Sequence, residues 1–137
     1  MAISYTNVTY DTILDSLHTL ISDEFNVPLY YDEHKGNQSF LVTLVDNTLI
    51  SFLSDGQARN YSIDINYQLI SGGNYTKNSV ERITEIVERL KRLIHDNTAY
   101  SPSNTYKWHD GRIESVLYSN EDDLLNAVLQ FNCTVTE

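Results

Sequence analysis

Residues 61–69 constrain this chain more than any other stretch. Tyr61, Ile63, Ile65, Tyr67 and Leu69 alternate with Ser62, Asp64, Asn66 and Gln68. A side-chain period of two puts the first set on one face of a strand and the second on the other. β-Branched and aromatic residues suit such a half-buried pleated surface. Ser71-Gly72-Gly73-Asn74 predicts the turn that ends it, because adjacent glycines admit positive φ.

A different period starts at Val80. Val80, Ile83, Ile86, Val87, Leu90, Leu93 and Ile94 recur at three- and four-residue steps, the stripe of an amphipathic helix. Asn78 followed by Glu81 predicts a capping box. Glu85 with Arg89 and Glu88 with Arg92 have the favourable i,i+4 order, each pair contributing about 0.2–0.5 kcal/mol. Lys91, Arg92 and His95 lie where the helix dipole favours positive charge. A long strand followed by such a helix implies a sheet with a helix laid across one face.

The flanking segments extend this pattern. Ile13, Leu14, Leu17, Leu20, Ile21 and Phe25 predict an earlier helix, capped at Thr9 and stopped by Asn26-Val27-Pro28. Leu29-Tyr30-Tyr31 reads as a short strand near an edge. Residues 40–45 read as a strand, Asp46-Asn47 as a tight turn, and residues 49–53 as the hairpin partner. Ser54-Asp55-Gly56 predicts the turn into the 61–69 strand. Residues 97–104, with Pro102, read as a polar connection. A further strand region follows from Tyr106 and Trp108 through residues 113–118, interrupted at His109-Asp110-Gly111. After an acidic turn at 119–123, Leu125, Ala127, Leu129, Phe131, Cys133 and Val135 alternate in a last strand. The expected fold is α+β, a single domain over 1–137. It has a mostly antiparallel sheet, two main helices packed on one side, and the order α-β-β-β-α-β-β.

Charge and composition narrow the function. A formal net charge of −10 with nine Lys and Arg argues against gripping nucleic acid, which needs clustered basic residues. Four of the nine, Arg82, Arg89, Lys91 and Arg92, sit on the long helix among glutamates, a pattern of solvated charge. Cys133 is the only cysteine, so no intramolecular disulfide and no CxxC metal pattern exist. No basic leader followed by an apolar run opens the chain, and no stretch approaches the roughly 18 apolar residues of a membrane span. The expectation is a soluble protein in a reducing compartment, with no membrane contact.

Sites of bond-making chemistry are not visible. The four histidines, His18, His34, His95 and His109, form no HxxxH or HExxH pair. A divalent metal site would need the Asp32–His34 and His109–Asp110 loops to meet in space; two ordinary polar loops are the simpler reading. Glu121-Asp122-Asp123 lacks EF-hand spacing. No GxSxG occurs, and Cys133 falls on an apolar strand face, where thiols are inert. Ser71-Gly72-Gly73-Asn74 lacks the lysine and hydroxyl of a phosphate loop. The expectation is no catalytic residue, no cofactor and no metal.

Assembly is the better-supported class. Tyr5, Tyr10, Tyr75 and Tyr100 lie outside the core periodicity, and tyrosine is enriched at interface hot spots. The polar strand faces carry Ser, Asn, Gln and Thr rather than the lysines that discourage edge pairing.

The element order over nearly the whole chain resembles the tail terminator (tail completion, minor tail) proteins of long-tailed bacteriophages. The likeness rests on several stretches: the helix over 12–25 ending at Val27-Pro28, the strand over 60–67, and the helix over 80–94. Trp108, residues 112–118 and residues 129–135 complete it. The resemblance implies a structural virion protein, not an enzyme, made in the host cytoplasm and placed at the head–tail junction. It implies a ring, expected to be a hexamer, that caps the tail tube protein and meets the head connector or stopper protein. DNA passes through without specific binding. A closed ring needs two different patches per subunit that meet repeatedly, and Arg82, Arg89 and Arg92 are the candidate subunit-interface residues. The alternatives are a head-closure (neck) or tail-tube subunit, a small metal-dependent enzyme using His34 and His109, or a host-encoded binding module.

Overall fold

The structure is a computed structural model that describes residues 3–54, 56–70, 77–100, 106–121 and 124–137. The alternating stretch lies within strand β3, Gly56–Ile70, as its periodicity requires. Strand β5, Leu124–Thr136, pairs antiparallel with it from Ala58↔Thr136 to Ile70↔Leu124. Cross-strand partners share a face, so Tyr61 with Cys133, Ile63 with Phe131, and Ile65 with Leu129 form matched buried pairs. Strand β2, Gln38–Leu53, runs antiparallel along the other side of β3. Strand β1, Leu29–Tyr30, adds parallel to β2, and β4, Trp108–Glu121, pairs antiparallel with β5. The sheet order is β1-β2-β3-β5-β4. The expected α+β class, single domain and order of elements all hold.

Both helices pack on the apolar face. Helix α1, Asp15–Glu24, contributes Leu17 and Ile21, and α2, Lys77–His95, contributes Ile83, Ile86, Val87, Leu90 and Ile94. Phe25, Phe40 and Tyr67 stack in a row with ring centres 5.3 Å apart, joining α1 to the sheet. Trp108 lies 5.2 Å from both Tyr100 and Phe131, and its Nε1 donates to the Asn97 carbonyl at 3.0 Å. Full burial of such a side chain stabilises by about 1.5–3 kcal/mol.

Four details differ from the sequence expectation. The first helix opens as a π-helical segment, Val8–Leu14, and Asn7 caps it in place of Thr9 by accepting from the Tyr10 amide at 3.2 Å. Asp46-Asn47 does not turn: β2 continues through it, with Asp46 opposite Ser62 and Asn47 opposite Tyr61. Register shifts at Leu44/Asp46 and Leu49/Ser51 let the strand absorb extra residues as bulges. Helix α2 starts at Lys77, ahead of the expected Asn78 cap, whose side chain lies outside the described residues. Glu88 pairs with Lys91 at 2.9 Å rather than with Arg92, whose Nε lies 3.9 Å from Asp96. The expected turn at 71–74, Tyr75, most of the Pro102 connection and the centre of the acidic turn also lie outside the described residues.

Candidate assembly surfaces

The long β2 strand outruns the layers that cover the rest of the sheet. Its first residues are flanked by β1, where Leu29 meets Phe40 and Tyr30 meets Leu41. From residue 42 to 53, β3 is its only strand partner among the described residues. Leu44 (59%), Val45 (47%), Leu49 (45%), Ile50 (57%) and Phe52 (75%) stay exposed there. Together they present on the order of 500 Å² of side-chain surface, the size at which an exposed patch marks an interaction site. The segment carries one charge, Asp46, and no lysine, so it lacks the usual protection of an edge strand.

The opposite border of the sheet is partly closed. Tyr100 and Trp108 exchange backbone hydrogen bonds of 3.1 and 3.0 Å, and the Gly111 amide donates to the Thr98 carbonyl at 2.8 Å. These contacts cover the start of β4. Asp110, at φ 56°, and Gly111 form the bulge that admits them. From residue 112 to 121 the border has no strand partner other than β5 among the described residues. Leu117 (70%) and Tyr118 (49%) are exposed on it.

Both borders carry acidic and basic side chains. Asp32, Glu33 and Asp46 lie on the β1–β2 side, with Lys35 3.3 Å from Asp32. Glu88, Lys91, Arg92, His95 and Arg112 line an open groove between α2 and β4 on the other side, and Glu114 and Glu121 lie on β4 itself. Lys91 bonds Glu88, and Arg112 bonds Glu114 and the Asp110 carbonyl.

The helix-free face is a polar carpet. Ser62 and Asn132 are buried and hydrogen-bonded to each other across β3 and β5. Burial raises the Asp64 pKa above the usual carboxylate value. His34 folds over the lower end of this face, its Nδ1 2.7 Å from Ser39 Oγ. Burial lowers its pKa, and hydrogen bonds with Asn66 and Ser39 offset part of that.

The three candidate arginines follow one another along α2: Glu85 lies 4.0 Å from both Arg82 and Arg89, and Arg89 and Arg92 line one open groove with Glu24 and Asp96. Arg82 Nη2 also lies 3.4 Å from Gln38 Oε1, and Arg89 binds Glu24. Arg92 extends into solvent, its side chain 73% exposed. The two histidine loops do not meet. His34 sits beside Ser39, which pairs with Gln68, whereas His109 pairs with Thr134 opposite Asn60. Those β3 positions are roughly 25 Å apart at about 3.3 Å per residue. Among the described residues no group of three His, Cys, Asp or Glu converges. Burial pushes the Cys133 thiol up to about 12, which disfavours the nucleophilic thiolate. Tyr5 and Tyr10 are exposed, as their position outside the core pattern suggests; Tyr100 is instead packed on Trp108. The border of β2 escaped sequence reading because its apolar run resembles a strand covered on both faces.

Among the described residues no helix is long and apolar enough to cross a membrane. No protein-family model matches the chain, and no curated protein matches it.

Proposed function

We propose that this chain is a structural subunit that works by joining copies of itself, a phage tail terminator whose hexameric ring caps the tail tube and meets the head connector. The observation that carries this reading is the uncovered apolar border of β2. Exposed apolar surface on an unpaired strand is an aggregation hazard in a monomer and an asset in an assembly subunit. One ring face would imitate the tube's own joint and the other would not, so growth stops. A net charge of −10 repels DNA phosphates and favours passage of the genome over adhesion.

The length of β2 also favours a second reading, a tail-tube subunit, because an unbroken 16-residue strand gives the fold more sheet than its sequence suggests. Imaging of the purified chain mixed with polymerising tail-tube protein separates the two. Short tubes ending in rings support the terminator; long tubes grown from this chain alone support the tube subunit. Tubes whose length and ends ignore the chain reject both.

A further inference from the structure

Resting on the reading that this chain joins copies of itself, we infer that residues 3–6 of one copy dock as a short strand on residues 46–49 of β2 in the next. Residues 3–7 form neither helix nor strand. They leave Ile3 82% and Tyr5 80% exposed, the two most exposed large apolar side chains among the described residues. Asn7 roots this arm by capping the helical start, and the Thr6 carbonyl accepts from the Val8 amide at 3.0 Å. Ile3 and Tyr5 alternate with Ser4 and Thr6, the period of a half-buried strand. The arm's own subunit covers neither apolar side chain, which leaves a second copy to do so.

The bulges of β2 set the length of what can sit beside it. Val45 and Ile50 have no partner on β3, and between them residues 46–49 run in unbroken register opposite Ser62 to Arg59. Bulges interrupt an edge and resist pairing with a second long strand. The uninterrupted stretch is roughly 13 Å long, the length of an arm such as residues 3–6.

Side-chain chemistry selects the direction. Leu44, Asn47 and Leu49 lie opposite Ile63, Tyr61 and Arg59, on the face that carries the helices. Asp46 and Thr48 lie opposite Ser62 and Asn60 on the other face. An antiparallel arm places Ile3 beside Leu49 and Tyr5 beside Asn47, in the gap between Leu44 and Leu49. Ser4 then meets Thr48, and the Thr6 hydroxyl can donate to the Asp46 carboxylate. A parallel arm would set Ile3 against Asp46 and Thr6 against Leu49. Charge agrees with this occupant: residues 3–10 carry no charged side chain, so the arm brings no repulsion to a border that holds Asp46 and, further along, Asp32 and Glu33.

One such contact buries on the order of 700 Å² counting both sides, the scale of a weak encounter. Each copy in a closed ring makes two of them, once with its arm and once with its β2. Two different patches are what a closing head-to-tail contact needs, and closure makes the weak contacts act together.

Disulfide trapping tests the joint. Ser4→Cys and Thr48→Cys fall at exposed positions, and the buried Cys133 stays unreactive. Ser4→Cys chain is mixed at a few hundred micromolar, under mild oxidation, with mass-tagged Thr48→Cys chain. The mixed dimer should form at least ~10-fold above that from Ser4→Cys with Ser119→Cys, which places the second thiol on β4. Adding Tyr5→Lys to the Ser4→Cys chain should cut the yield at least ~10-fold, as for an interface tyrosine, and leave the melting curve unchanged because Tyr5 is exposed. Equal yields from the two pairings, or a yield that ignores Tyr5→Lys, overturns the inference. So does a Ser4→Cys/Thr48→Cys double variant that closes only on itself as an oxidised monomer, because the arm then serves its own subunit. Rings that the Tyr5→Lys chain still forms on tube ends overturn the arm joint and leave the ring reading standing. Trapped mixed dimers from a chain that forms only open filaments uphold the joint and remove the ring.

Discussion

Arg89 of α2 grips Glu24 at the end of α1 twice, its Nη2 lying 2.9 Å from the Glu24 carbonyl and 2.9 Å from carboxylate Oε1. The guanidinium also lies over the Phe25 ring, 4.7 Å from its centre. Arg89, a candidate subunit contact from the sequence, also ties two helices of one subunit together. Arg89→Ala should lower stability by about 1 kcal/mol, combining a partly exposed ion pair, screened by solvent, with the lost ring contact. Arg92→Ala should stay within about 0.5 kcal/mol of wild type. Urea denaturation of the two variants checks the contrast, and equal losses would contradict it.

The bulge at Asp110-Gly111 makes a second prediction. A Cβ on Gly111 would stand 2.9 Å from Trp108 Nε1 and 3.3 Å from the Thr98 carbonyl oxygen. Gly111→Ala should therefore cost about 1–3 kcal/mol as the indole is displaced. A shifted tryptophan emission in the folded variant accompanies the loss; an unchanged spectrum with unchanged stability would refute it.

His34 predicts a pH dependence. Its folded pKa lies below the ordinary value of about 6.5, so the unfolded chain binds the proton more readily. Stability from this group is fully present above about pH 6.5 and falls as pH drops toward the folded pKa. The His34→Gln variant should lose that part of the acid dependence. NMR titration of the ring should give a midpoint below 6.5; a midpoint above it would reverse the sign.

Asp64 has the opposite sign. Its folded pKa is raised by burial, so its favourable contribution is present below the unfolded carboxylate pKa, about 3.9, and is lost as pH rises through the folded pKa. Asp64→Asn should be more stable than wild type at pH 7, with the difference vanishing near pH 3. Denaturation midpoints at the two pH values test this, and a variant weaker at pH 7 would contradict it.

Periodicity carried most of the architecture. The alternations of β3 and β5 and the stripe of α2 appear as buried faces because burial on one side is what produces those patterns. The Asp46-Asn47 turn misled because polar residues at an exposed border look the same as polar residues in a turn. Two bulges, which leave little trace in sequence, keep β2 in register beyond it. Thr9 yielded to Asn7 because the π-helical start moves the first free amides by two positions. The β2 border was the least legible feature. A run such as Leu49-Ile50-Ser51-Phe52 does not state which of its neighbours is missing, and only the strand order β1-β2-β3-β5-β4 shows it. The arginines of α2 were legible as charge, but their partners on α1 and β2 depend on tertiary packing.

Native mass measurement of the chain bound to tail-tube ends, followed by imaging of the same sample, tests most directly whether this subunit acts by closing on itself. The account predicts a closed ring of about six 15.7 kDa copies seated on the tube end, with tube growth arrested. A single 15.7 kDa chain in solution together with bare, still-growing tube ends would contradict it.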